Sequence, residues 1–182
     1  MQCIQYTSTE TKFRLKEKER ITIWLEHVMG MKHKFPGNLT FIFCSDAYLL
    51  EMNKQYLQHD TLTDIITFNY NEGHYISGDI FISVDRVKEN AATYKVDFED
   101  ELHRVMAHGV LHLLGYNDKS AEEAKEMREM EEVALKMMRY SVDVSTLNAS
   151  VKVWSAVRRI CVCKCGAVFI LPVLLPPCSR PG

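Results

Sequence analysis

Glycine and proline are sparse, eight and five in 182 residues, which excludes a collagen-like or low-complexity chain. Long hydrophobic runs are missing as well. The apolar stretch over 167–175 is interrupted by Pro172 and is shorter than the roughly 20 residues a bilayer span requires. The opening residues hold no apolar run of the kind a secretory signal carries, so the expectation is a cytoplasmic protein with reduced thiols and no membrane partner. An excess of charge of one sign is also lacking. The formal charge of −2 gives no reason to expect a generally basic nucleic-acid binder, although a local patch would be invisible in that sum. What the chain does have is 47% hydrophobic and 25% charged residues, enough to build a sizeable core and to exclude global disorder.

Two compositions share the chain. Residues 141–182 carry five cations (Lys152, Arg158, Arg159, Lys164 and Arg180) against Asp143, a net +4 that leaves −6 for residues 1–140 of the overall −2. Four of the six cysteines (Cys161, Cys163, Cys165 and Cys178) also fall in this stretch. Their Cys-x-Cys-x-Cys spacing is not the Cys-x₂-Cys of zinc ribbons. The expectation is a functional domain over 1–140 and an atypical Cys- and Pro-containing tail over 141–182 that is poorly ordered.

Within 1–140 the periodicities alternate between strand and helix. Residues 3–7 read as a short strand, and 13–29 as an amphipathic helix with Ile21, Trp24, Leu25 and Val28 on its apolar side. Phe35-Pro36-Gly37-Asn38 supplies turn chemistry, and 39–45 is a β-branched, aromatic strand. Ser45 or Asp46 caps a helix through Leu57. Residues 64–70 and 77–84, separated by a short Asn-Glu-Gly-His turn, predict a hairpin, and 85–95 a helix. Asp97 and Gly115 bracket a long helix, and Ser120 with Glu123 forms a capping box that opens a last helix to about Tyr140. Strands and helices without regular βαβ alternation predict an α+β domain, helices packed on a small mixed or antiparallel sheet.

The segment from His108 to Asp118 carries the chemistry. His108 and His112 are i and i+4 on the long helix, so their imidazoles leave one face, with Cβ atoms about 5–6 Å apart. Gly115 ends the helix and Asp118 follows in the loop. Two imidazoles and a carboxylate with an open fourth position form the pattern of a catalytic zinc site; Ni²⁺, Co²⁺ and Mn²⁺ are compatible with the same donors. The alternative is a pair of histidines satisfied by hydrogen bonds in a helix core. In His-Glu-x₂-His metalloproteases the residue after the first His is the general base. Here it is Gly109, which takes no proton; close packing of a strand or helix against the backbone is the structural reason for a glycine there. Glu101, seven residues before His108, is either a ligand-orienting acid or a solvated helix charge. Asp64 and Asp79 read as cap or turn residues at strand starts.

His108-Gly109-x-Leu111-His112-Leu113-x-Gly115-Tyr116 resembles the signature of the YbeY family of bacterial rRNA-maturation endoribonucleases. Asn53-x₂-Tyr56, Asp60 and Thr63-Asp64-Ile65-Ile66-Thr67-Phe68 resemble a second block of that family, and Gly78-Asp79-Ile80 a third. The similarity spans about residues 1–140. It implies a small α+β fold, one zinc per chain, single-strand-directed hydrolysis of RNA phosphodiesters in rRNA maturation (the 3′ end of 16S rRNA), ribosome quality control, and rRNA with a ribosome or ribosomal protein as partners. The two histidines carry over as ligands. Two positions depart from the family pattern. Asn117-Asp118 stands where the family has Asp-His, so the third ligand position is Asp118, and Leu57 stands where the family has an arginine suited to clamp a phosphate.

The expected function is a metal-dependent endoribonuclease with metal ligands His108, His112 and Asp118. Its nucleophile, a metal-bound water or the RNA 2′-OH, is left open, and no protein residue is assigned as catalytic. Two further readings stand beside it: a zinc metallopeptidase-like hydrolase, which Gly109 disfavours, and a non-catalytic ribosome-assembly factor with a structural metal. The alternating Lys12, Arg14, Lys16, Lys18 and Arg20 read as a solvated helix face or an RNA-backbone patch. The glutamates of the last helix would repel phosphate, and its Met127, Met130 and Met137 stripe reads as core.

Overall fold

A computed structural model describes residues 4–57 and 61–147, with side chains over 4–56 and 61–139. The expected tail begins inside its last helix; from residue 148 onward, including the four clustered cysteines, it lies outside the described residues, as do Cys3 and Asp60. Among the described residues are four strands, β1 (Ile4–Ser8), β2 (Phe35–Cys44), β3 (Ile65–Asn69) and β4 (Tyr75–Ser83), and five helices, α1 (Lys18–Gly30), α2 (Asp46–Met52), α3 (Val84–Tyr94), α4 (Phe98–Leu113) and α5 (Ala121–Leu147), the last three following one another after β4. A π-helical turn, Asn53–Leu57, extends α2. The sheet is mixed, in the order β1-β2-β4-β3: β1–β2 and β2–β4 run parallel, and β3–β4 is the expected antiparallel hairpin. The domain is α+β.

Alternation along β4 divides the two faces. Ile76, Ile80 and Ile82 enter the main core with Trp24, Leu25, Phe41, Phe43, Met106, Val110 and Leu111. Phe81 joins a smaller cluster under α2 with Cys44, Leu49, Ile66 and Phe68. Burial of the Cys44 thiol, with Asp46, Asp85 and Glu10 adding to the effect, pushes its pKa up to about 12. Trp24 is 1% exposed and donates its indole N–H to the Ala134 carbonyl at 2.7 Å, fixing α5 on α1.

Several caps fall where expected. The Ser45 hydroxyl accepts from Tyr48 N at 3.3 Å, and the capping box closes in both directions, Glu123 N to Ser120 Oγ at 3.1 Å and Ser120 N to Glu123 Oε2 at 2.9 Å. Asp97 occupies the N-cap of α4 without a side-chain cap bond. Gly115 takes φ +93°, the left-handed conformation that lets the chain leave α4.

Two segments differ from the periodicity. Helix α1 starts at Lys18 rather than near Phe13, because Phe13 packs edge-on against both Phe43 and Phe98 and Leu15 is buried, which draws 13–17 along the core in a non-helical path to a left-handed Glu17. Lys12, Arg14 and Lys16 therefore precede the helix instead of lining one of its faces. The expected turn at 35–38 is the bulged start of β2: pairing with β4 shifts register between Pro36 and Leu39, and Gly37 lies where a Cβ would collide with Ser77 Oγ.

Candidate metal centre

Helix α4 packs against β3 and β4, and Gly109 sets how closely. A Cβ at this position would stand 2.8 Å from Ile65 Cδ1 and 3.0 Å from Ile80 Cγ2. The glycine is the expected point of close approach to a strand. A glutamate here would direct its side chain at two isoleucines and would have to displace them to act as a general base.

His108, one residue before this contact, and His112, three residues after it, meet on the adjoining face of α4. Their Nε2 atoms are 2.8 Å apart, and the rings are perpendicular with centroids at 4.4 Å. Asp118 Oδ2 lies 3.8 Å from each Nε2. The three donor atoms fall within 4.8 Å of one another, a group that can hold a metal ion. The spacing thus brings together all three residues singled out in the sequence. Their side chains are 22%, 28% and 45% exposed, so the carboxylate is the open corner.

The other ring nitrogens settle the tautomers. His112 Nδ1 is 3.0 Å from the Tyr116 carbonyl, which only accepts, so Nδ1 carries the proton. His108 Nδ1 is 2.8 Å from Glu131 Oε1, a carboxylate on α5. In the neutral rings both protons sit on Nδ1, and the two Nε2 lone pairs face each other. That arrangement is repulsive unless a cation is shared, and it fits a metal with imidazole and carboxylate donors.

Charge reinforces the asymmetry. Burial pulls the His108 pKa down, but the hydrogen bond and charge of Glu131, helped by Asp118 and Asp64, carry it above the ordinary imidazole value. Burial and the neighbouring His108 hold His112 below that value, against the Tyr116 carbonyl, Asp118 and Glu131.

Glu131 is buried and was not singled out in the sequence. Arg104 neutralises it: Arg104 Nη1 is 3.3 Å from Glu131 Oε2 and Nη2 is 2.8 Å from Glu132 Oε1. A signal existed. Glu131 falls four residues after Met127 and three before Ala134, both buried, so a carboxylate occupies the core stripe of α5. Glu101 is neither of the things expected. It is buried, 3.8 Å from Arg104 Nε, and its pKa is raised by burial against the pull of Arg104 and with the help of Asp64 and Glu131. Asp64 accepts from Asn90 Nδ2 at 3.2 Å, whereas Asp79 lies within β4 rather than at its start. Met127 and Met138 are buried in the core and Met130 and Met137 pack on it.

A family model described as Endoribonuclease YbeY matches residues 4–139. Among curated proteins, "Endoribonuclease YbeY" of Flavobacterium johnsoniae is 50% identical over 128 residues, covering 70% of this chain and 92% of that protein. The protein of the same name from Bacteroides thetaiotaomicron is 46% identical over 134 residues, covering 74% and 98%. The solution structure of a Thermotoga maritima protein superposes with a TM-score of 0.54 at 25% identity, covering 81% of this chain and 97% of that one. The chain belongs to the YbeY endoribonuclease family. Among the described residues, no helix is long and apolar enough to cross a membrane.

Proposed function

We propose that this chain is a hydrolytic endoribonuclease of rRNA maturation, that it acts in ribosome quality control, and that His108, His112 and Asp118 hold the single zinc ion it uses. The observation that carries the reading is the pair of facing Nε2 atoms, 2.8 Å apart, with each Nδ1 proton already engaged. A divalent cation bound there supplies Lewis-acid charge to a phosphoryl oxygen and acidifies water. Nitrogen and oxygen donors without sulfur suit zinc in a hydrolytic site.

The chain's own residues do the positioning. The Glu131 carboxylate keeps the proton of His108 on Nδ1, and the Tyr116 carbonyl does the same for His112. Asp118 presents its carboxylate from the loop that Gly115 turns. Its charge makes the site less electron-withdrawing than three imidazoles would. The net −6 of residues 1–140 suits an enzyme whose RNA, the 3′ region of 16S rRNA by family resemblance, is presented on a ribosome or by a ribosomal protein in the cytoplasm.

Elemental analysis should find about one zinc per chain, and the loaded chain should cut single-stranded RNA. Chelation or His112→Ala should abolish cutting. Equal cleavage by wild type, stripped protein and His112→Ala would overturn the reading.

A further inference from the structure

The turn after α1 and the β3–β4 turn form one unit beside the end of α4. Lys34 Nζ donates to the Gly73 carbonyl at 2.8 Å, and Phe35 N donates to His74 O at 2.9 Å. Both turns are tied to the histidine-bearing helix. Asn71 Nδ2 donates to Leu113 O at 2.7 Å, and Lys32 Nζ lies 4.6 Å above the Tyr116 ring, whose own carbonyl holds His112.

Two aromatic side chains stand out from this unit. Phe35 and Tyr75 are register partners in the β2–β4 ladder, with ring centroids 6.3 Å apart, and they are 60% and 55% exposed. Neither ring serves the core. Around them the turns place Lys32 and Lys34 against the one acid Glu72, in a domain whose net charge is otherwise strongly negative. Exposed rings set among cations recognise an unpaired, negatively charged strand: bases stack on the rings and phosphates meet the lysines.

We infer that the paired turns, 31–35 and 70–75, are a stacking platform for single-stranded RNA, seating the strand next to the histidine pair through Phe35, Tyr75 and Lys32. This rests on the endoribonuclease reading and names where that enzyme grips its substrate. It also gives the domain a phosphate contact that Leu57, standing where the family has arginine, does not supply. The rings have no face for stacked duplex, so selection for unpaired RNA follows from the same surface.

The test uses the full chain, stripped of metal so that binding is read without cutting, and a fluorescent single-stranded oligonucleotide of about ten nucleotides. Phe35→Ala with Tyr75→Ala should weaken binding about tenfold or more. Phe35→Leu with Tyr75→Leu, which keeps apolar bulk, should lose nearly as much, and thermal midpoints should confirm that all variants fold. Tyr75→Phe should bind as wild type does. Lys32→Ala should lower the slope of log affinity against log salt by about 0.7. Undiminished binding by the double variants, equal affinity for a duplex of the same length, or no binding by wild type would overturn the platform. Cleavage by metal-loaded wild type is scored separately. Cleavage with unaffected double variants removes the platform and leaves the enzyme; binding lost in the variants without cleavage by wild type removes the enzyme and leaves the platform.

Discussion

His112 is anchored to the end of its own helix and His108 to a different one. The Tyr116 carbonyl that holds His112 arrives with the last turn of α4 and the Gly115 break, so whatever folds α4 also fixes that ring. The Glu131 carboxylate that holds His108 is 23 residues away along the chain and reaches it only when α5 is docked. One half of the site is local and backbone-made; the other depends on tertiary packing and a side chain. Geometry that looks symmetric at Nε2 thus has unequal vulnerability at Nδ1.

The contrast can be broken most forcefully at the α1–α5 contact. Trp24→Ala removes a buried indole and its bond to Ala134 O. It should cost about 3–5 kcal/mol in denaturant unfolding and loosen His108 along with α5, while leaving the His112 anchor in place. A destabilised variant that still bound zinc with wild-type affinity would show that the docked half does not matter.

A gentler substitution sharpens the same contrast. Glu131→Gln or Glu131→Ala should weaken zinc binding by about 10–100-fold in chelator competition. Tyr116→Ala, which keeps the carbonyl, should change affinity by no more than about threefold on the same reasoning. Equal losses at the two positions would erase the distinction.

The smallest effect concerns His103, which lies edge-on to Trp24 with centroids 5.6 Å apart. Burial, then Arg20, hold its pKa below 6.5, against the pull of Asp100, Glu99 and Glu17. The folded protein therefore binds this proton less readily than the unfolded chain does. The stabilisation is complete above pH 6.5 and is lost as pH falls toward the lowered folded value. His103→Gln should flatten the fall in thermal midpoint below pH 6.5 without altering the metal site. An unchanged slope would place that dependence elsewhere.

The features that could be read from residues were those governed by neighbours in the chain. Ser45, Gly115 and the Ser120–Glu123 box mark helix ends because their bonds close within a few residues. The β3–β4 hairpin and the His108–His112 pair obey fixed periodicities. The α1 boundary differs because Phe13 meets Phe43 and Phe98, and Leu15 is buried, along a non-helical path that the local pattern does not encode. The 35–38 segment has turn composition, yet partners on β4 pull it into the sheet as a bulge. Glu131 was hidden among the many acids of α5: its partner, His108, is on another helix, and only its place between Met127 and Ala134 distinguishes it from the solvated glutamates around it. Glu101 shows the reverse error, an acid at a suggestive spacing whose surroundings bury it beside Arg104.

Gly109 has a consequence for how this scaffold can evolve. Because Ile65 and Ile80 occupy the space above its Cα, a proton-accepting side chain introduced there would have to push both isoleucines aside, an overpacking that costs about 1–3 kcal/mol. A base at this position would therefore come at the expense of the helix seat, setting acid–base chemistry against the packing that holds the histidines.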